Sequence, residues 1–354
     1  MLAHRELISN GPIKRAGMLR SLYDGIAFFC RNGETCRQLV PKIIDPVNTP
    51  MKSIFIPELG RNVARLGIGS VKFNTDFASE TASLLDAYQA AGGNLIDTAE
   101  IYGRGKSEQA IGEYLRLRGT RTDWIILTKA CVDIDLVRPD YIRTAVPRSL
   151  ERLQTDTIDL FVLHRDDPSV PVGEIVEVLN ELVRQGLIRA FGGSNWTTAR
   201  LDEAKCYANK NALVGPCLSS PHLGLATPNE PTWPGCTYAS AIDLDWYAEQ
   251  GMPVFGWSAQ CRGFFSPESG PTNTANPEQV RVYHSQKNFE KLARARDLAS
   301  KRGVEPVQIA LSWVLNQRAT TVALVGPNSV KELHVAVGGV NITLNSDEMA
   351  FLDA

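Results

Sequence analysis

The chain has 354 residues, with 37 Lys+Arg against 39 Asp+Glu (a formal net charge of −2), 44% hydrophobic and 21% charged residues. These values exclude a disordered chain and leave no basic footprint for DNA or RNA. No apolar run approaches the roughly 18 residues of a membrane span, and Gly25–Cys30 is too short for a signal-peptide core. With no export signal, the expectation is a cytoplasmic protein whose seven cysteines stay reduced.

Residues 1–50 are basic, with Arg5, Lys14, Arg15, Arg20, Arg31, Arg37 and Lys42 against Glu6, Asp24 and Glu34. A targeting peptide would be poorer in acids, so this stretch reads as a peripheral extension ahead of a domain over residues 51–354. From Met51–Pro57 and Asn62–Ala64, around Gly60, a small hairpin is expected. Short β-branched runs then alternate with amphipathic stretches. Strands are expected at Arg65–Val71, Asn94–Thr98, Trp124–Lys129, Ile158–His164, Ile188–Ser194, Leu213–Ser219, Pro253–Ser258 and Thr321–Gly326. Helices are expected at Ser79–Ala91, Glu108–Leu117, Tyr141–Leu153, Gly173–Arg184, Thr198–Asn209, Ser240–Gln250, Pro306–Asn316 and Val330–Val337. Pro147 falls inside one of these and should kink it.

Strand followed by helix, repeated, implies a parallel sheet. An open sheet would bind a dinucleotide through G-x-G-x-x-G, but after Gly67 and Gly69 the third position is Lys72. The reading is therefore an α/β fold, a (β/α)8 TIM barrel with the hairpin capping its floor. Two long loops, Ser220–Ala239 and Cys261–Gln286, interrupt the rhythm and are expected to serve function.

In such a barrel the C-terminal strand ends converge on one mouth. Asp97, Lys129 and His164 fall at strand ends there, and Tyr102 lies in the loop just beyond Asp97. An ammonium beside a phenol favours phenolate, so Lys129 should lower the pKa of Tyr102, while Asp97 keeps Lys129 charged. His164 can donate to a substrate oxygen or relay a proton. The set suits protonation of an oxygen that becomes alkoxide-like. It holds no activated Ser or Cys nucleophile, which argues against acyl transfer.

The segments Asn94–Gly103, Ser107-Glu108, Leu127–Lys129, Asp159–His164, Gly192–Asn195 and Val325–Pro327 together resemble the aldo-keto reductase family, over about residues 52–354. The resemblance implies a catalytic tetrad of Asp97, Tyr102, Lys129 and His164. It also implies reversible reduction of an aldehyde or ketone by hydride from NADPH, with NAD(H) as the alternative cofactor. Ser194 and Asn195 would hold the nicotinamide carboxamide, with Ser219 standing where many members carry Gln. Trp257 would stack on the nicotinamide ring, in place of the usual Tyr. Gly326, Asn328, Ser329 and Lys331, at the start of the last helix, would take the adenosine phosphate. Phe73, Trp124 and Trp196, with Phe264 or Phe265, would line the pocket of a small carbonyl substrate.

Gly105-Lys106-Ser107 imitates the end of a P-loop but lacks its first glycine, since position 100 is Glu. His164-Arg165-Asp166 imitates part of an iron site, yet a second His would have to come from a loop; no metal is expected. Two other functions compete with carbonyl reduction. One is a Schiff-base aldolase using Lys129, which an adjacent Asp97 opposes. The other is a non-catalytic, cofactor-sensing subunit, which an intact tetrad opposes.

Overall fold

The computed structural model describes residues 51–354, so the extension expected at residues 1–50 lies outside the described residues. The hairpin forms as read, from β1 (Ser53–Ile56) and antiparallel β2 (Arg61–Ala64). Gly60 closes its turn at φ +60°, where a side chain would be strained.

Strand and helix then alternate. The order is β3 (Leu66–Gly69), α1 (Ala78–Ala90), β4 (Leu95–Asp97), α2 (Lys106–Arg118), β5 (Ile125–Ala130), α3 (Pro139–Leu153), β6 (Ile158–Leu163) and α4 (Val172–Arg184). There follow β7 (Ile188–Ser194), α5 (Thr198–Lys210), β8 (Ser219–Ser220), α6 (Ala241–Gln250), β9 (Val254–Gly256), α7 (Pro277–Tyr283), α8 (Gln286–Arg302), α9 (Pro306–Leu315), β10 (Thr321–Val325), α10 (Val330–Val340) and α11 (Ser346–Asp353). Strands β3 to β10 pair in parallel and close into a barrel, with β10 returning to β3. A closed parallel cylinder leaves no free strand edge, and its helices cover the outside.

The period of two along each strand sorts residues between barrel interior and helix layer. Leu95, Leu127, Val162, Ala190, Leu218, Phe255 and Leu324 pack inside, while Ile96, Ile126, Phe161, Phe191, Val254 and Val325 pack against helices. The hairpin plugs one end. Its Ile56, Leu59 and Val63 join the interior cluster, and Arg61 donates to the carbonyls of Trp124 (3.0 Å) and Thr122 (2.8 Å). Beside them Asp159, 1% exposed, takes Arg121 at 2.7 Å and Arg189 at 3.3 Å.

Three expectations change. The strand expected over Leu213–Ser219 shrinks to Ser219–Ser220, because Gly215-Pro216 interrupts it and a proline offers no ladder N–H. Helix α3 runs unbroken through Pro147. The segment read as a long loop over Cys261–Gln286 contains α7, and α8 and α11 are further helices the periodicity did not reveal. Among the described residues Cys131, Cys206, Cys217, Cys236 and Cys261 are free thiols, and no helix is long and apolar enough to cross a membrane.

Candidate active site

The strand phase that places Leu95, Leu127 and Val162 inside the barrel also aims Asp97, Lys129 and His164 inward, each two residues further toward the C-terminal mouth. Tyr102 arrives from the β4 loop, which is tied to β5 by main-chain bonds from Thr98 to Leu127 (2.8 Å) and from Glu100 to Lys129 (2.9 Å). Gly103 (φ +57°) and Arg104 (φ +56°) then turn the chain sharply into α2.

Lys129, 2% exposed, donates to the Asp97 carboxylate and to the Thr98 carbonyl at 3.1 Å. Its ammonium lies 5.3 Å from the centre of the Tyr102 ring, and that ring meets His164 edge-on at 6.1 Å between centroids. The four residues expected to act together do come together.

Their electrostatics differ from expectation at one point. Burial raises the Tyr102 phenol above its ordinary value, and Lys129 only partly offsets this because the Asp97 charge works against it. The phenol is thus held protonated, where the sequence reading had it lowered. Burial also pulls on Lys129, but the Asp97 carboxylate and Tyr102 outweigh it and keep the ammonium charged. Burial, with Lys129 and Arg165 nearby, drives His164 well below the usual histidine value, so its ring is neutral. Its buried Nδ1 has no hydrogen-bond partner among the described residues.

Of the residues expected to hold a cofactor, Ser194 and Asn195 stand on the same rim but are already engaged. Ser194 donates to the Ser220 carbonyl (2.7 Å). Asn195 donates to the carbonyl of His164 and to Ser194 Oγ (both 3.0 Å), and accepts from the Thr237 N–H (3.2 Å). Asn195 takes a left-handed backbone (φ +61°), which Asn tolerates better than most residues. Ser219 is a correction. Its neighbour Leu218 packs inside the barrel, so Ser219 points outward and pairs with Tyr247 of α6 at 2.9 Å. Trp257, one residue past β9, shares the inward phase of Phe255.

At the far rim Gly326 is open, and a Cβ there would meet nothing closer than the Gly69 carbonyl at 4.0 Å. Ser329 caps α10 by accepting the Glu332 N–H at 3.2 Å. The Asn328 main-chain and side-chain N–H groups both donate to Glu332 Oε2 at 2.8 Å, Lys72 donates to Asn328, and Lys331 is exposed. A carboxylate therefore sits on the donors that sequence reading assigned to a phosphate.

The aromatic lining also needs correction. Trp124 precedes β5 and so lies at the floor, where it packs on Tyr88 and Tyr114 with both centroid distances 6.0 Å. Trp196 is buried against Gly193 and donates to the Arg165 carbonyl at 3.1 Å. Phe264 and Phe265 are fully buried, and Phe264 packs on Tyr283 and Phe289 within the segment after β9. Phe73 remains at the mouth, in the loop after β3. Sequence reading weighed His222 only as a possible iron ligand and missed Trp233 and Thr237 of the Ser220–Ala239 loop; the length of that loop was the signal. Trp233, 45% exposed, leans on Trp257 with centroids 5.9 Å apart. A cleft of about 530 Å³ opens at the floor, beside Lys52, Arg65 and Arg318, remote from the tetrad.

A model of the aldo/keto reductase family matches residues 65–354. The aldo-keto reductase str7 of Strobilurus tenacellus is 29% identical over 81% of this chain and 84% of its own. The "Probable voltage-gated potassium channel subunit beta" of Oryza sativa subsp. japonica is 26% identical over 77% of this chain and 86% of its own. An aldo-keto reductase from Klebsiella pneumoniae, solved in complex with NADPH, superposes with a TM-score of 0.67 at 23% identity, covering 86% of this chain and 95% of that one. The family model's match over residues 65–354, most of the chain, shows that it belongs to the aldo/keto reductase family.

Proposed function

We propose that the protein is an oxidoreductase that reduces an aldehyde or ketone to the alcohol with NADP(H), with Asp97, Tyr102, Lys129 and His164 as its acid–base apparatus. The single observation that carries this reading is the buried Lys129–Asp97 pair beside a protonated phenol at the barrel mouth. Fit to the cofactor is supported by the flat inward face of Trp257 and the open Gly326; at the N-terminus of α10 the phosphate would have to take the Asn328 donors from Glu332. Trp257, Ser194, Asn195, Gly326, Asn328, Ser329 and Lys331 would hold it, and when bound it supplies the hydride.

The chain's own groups manage the proton. Tyr102 donates its hydroxyl proton to the carbonyl oxygen as that oxygen gains negative charge. The Lys129 ammonium stabilises the phenolate left behind, and Asp97 keeps that ammonium charged. His164, neutral, can donate to the substrate oxygen only through a ring N–H, which orients the carbonyl. The substrate class supported is an uncharged apolar carbonyl compound. Large apolar side chains are exposed on the mouth loops at Val71, Ile101 and Trp233, and Phe73 is buried in the loop after β3.

The Schiff-base alternative loses ground because Lys129 is charged and held by two oxygens, so it has no free lone pair. The subunit alternative is opposed by the complete tetrad. The test follows reduced-nicotinamide absorbance with NADPH and a panel of aldehydes and ketones. Tyr102→Phe is expected to lower kcat by ~10²–10⁴ while NADPH binding stays within about twofold. Unchanged turnover in that variant would remove Tyr102 as the acid.

A further inference from the structure

We propose that His222, fixed by Tyr283, is a positioning residue that backs Trp257 and holds it as the platform for the nicotinamide ring. The inference rests on the NADP(H) reading above and concerns a part of the molecule that the tetrad does not use. His222 and Trp257 stack with ring centroids 4.5 Å apart and planes 20° from parallel. Behind the stack, the Tyr283 hydroxyl is hydrogen-bonded to His222 Nε2 at 2.8 Å, and Tyr238 meets the imidazole edge-on at 5.5 Å.

The main chain fixes both rings as firmly as the side chains do. His222 N–H donates to Thr237 (2.9 Å), and its carbonyl accepts from Ala239 (2.9 Å). Trp257 N–H donates to Pro221 (3.1 Å), and its carbonyl accepts from Leu223 (3.2 Å). The Ser220–Ala239 loop is thereby closed on itself at His222 and tied to Trp257 at the end of β9.

Relative exposure decides which neighbour of Trp257 is structural and which can move. His222 is 1% exposed and Tyr283 is fully buried, whereas Trp233 is 45% exposed. A flat ring arriving at Trp257 displaces the exposed Trp233, not the buried imidazole. Burial, with Arg262 adding to it, pushes the imidazole down to about 3, so the ring behind the indole is neutral at physiological pH. A charged ring there would draw on the same π electrons that an oxidised nicotinamide, itself a cation, would use.

The experiment measures binding of NADPH and of 2′-phospho-ADP-ribose, which lacks the nicotinamide, to the full chain by titration calorimetry. His222→Ala is expected to weaken NADPH about fivefold, the scale of one lost aromatic contact, and to leave the fragment unchanged. The double variant His222→Phe/Tyr283→Phe restores a flat, fully apolar backing and is expected to recover NADPH affinity to within about twofold. Should His222→Ala fail to fold, Tyr283→Phe gives the readout, with NADPH weakened about threefold and the fragment unaffected. Unchanged NADPH affinity, equal loss for both ligands, or no recovery in the double variant would overturn the proposal. Wild-type protein that binds the fragment but gains nothing from the nicotinamide would overturn it too. Wild-type protein that binds neither would instead remove the NADP(H) reading on which it stands.

Discussion

At the scale of single residues, Tyr102 decides how the site responds to pH. Its phenol is raised above the ordinary tyrosine value, chiefly by burial, so it carries its proton throughout the neutral range. Reduction needs that proton, whereas alcohol oxidation needs the phenolate. The rate of reduction should therefore stay flat through neutral pH and fall only above about pH 10, while oxidation rises over the same interval. Opposite slopes in the two directions, absent from Tyr102→Phe, are the expected result of paired pH–rate profiles. Glu332 supports a second prediction. Its exposed carboxylate occupies the Asn328 donors, so Glu332→Gln should tighten NADPH up to about fivefold and NADH less, measured as the ratio of their dissociation constants. The tetrad was legible in the sequence because each member lies at or just beyond a strand end. Trp124 was misplaced although its position at the start of a strand already put it at the floor. The occupation of Asn328 by a nearby carboxylate could not be read, because it depends on how one side chain folds back over a helix start.

At the scale of elements, contacts between helices depend on the absence of a side chain at particular points. Gly112 of α2 faces α3, where a Cβ would come within 2.5 Å of the Arg152 carbonyl and 2.7 Å of the Leu153 carbonyl carbon. Backbone cannot yield as a flexible side chain does. Gly112→Ala should cost about 3 kcal/mol, read as a lower midpoint in chemical denaturation. The adjoining Glu108, fully buried, is satisfied by Thr128 at 2.6 Å and Arg152 at 2.6 Å. Glu108→Ala would strand Arg152 and should destabilise the fold by about 3 kcal/mol, measured in the same way. Long amphipathic elements such as α4 were readable to within a residue. Strand β8 was not, because Gly215-Pro216 leaves a ladder of two residues, too short to reveal alternation. That one-step ambiguity of phase is what turned Ser219 from an expected cofactor contact into a partner of α6.

At the scale of the whole molecule, the hairpin, the barrel and the helix layer all lie within Met51–Ala354. We propose that this span is a self-sufficient domain. A chain beginning at Met51 should show a thermal midpoint within a few degrees of the full chain and the same kcat/KM for a given aldehyde. The architecture was legible because eight strand–helix repeats without a glycine fingerprint favour a closed cylinder. The loops were not, since Ser220–Ala239 and Cys261–Gln286 acquire their order from contacts distant in sequence, such as that between His222 and Tyr283.

The hairpin that seals the floor has a consequence for traffic. Ile56, Leu59 and Val63 stopper one end, and among the described residues the packed interior leaves no through passage, so what reacts would arrive and depart by one doorway. On the cofactor reading proposed above, a large molecule would lie across that doorway and is expected to be seated before a small one settles on top of it. It also has to wait for the small one to go, which makes the sequence of arrivals and departures a property of the shape of the vessel.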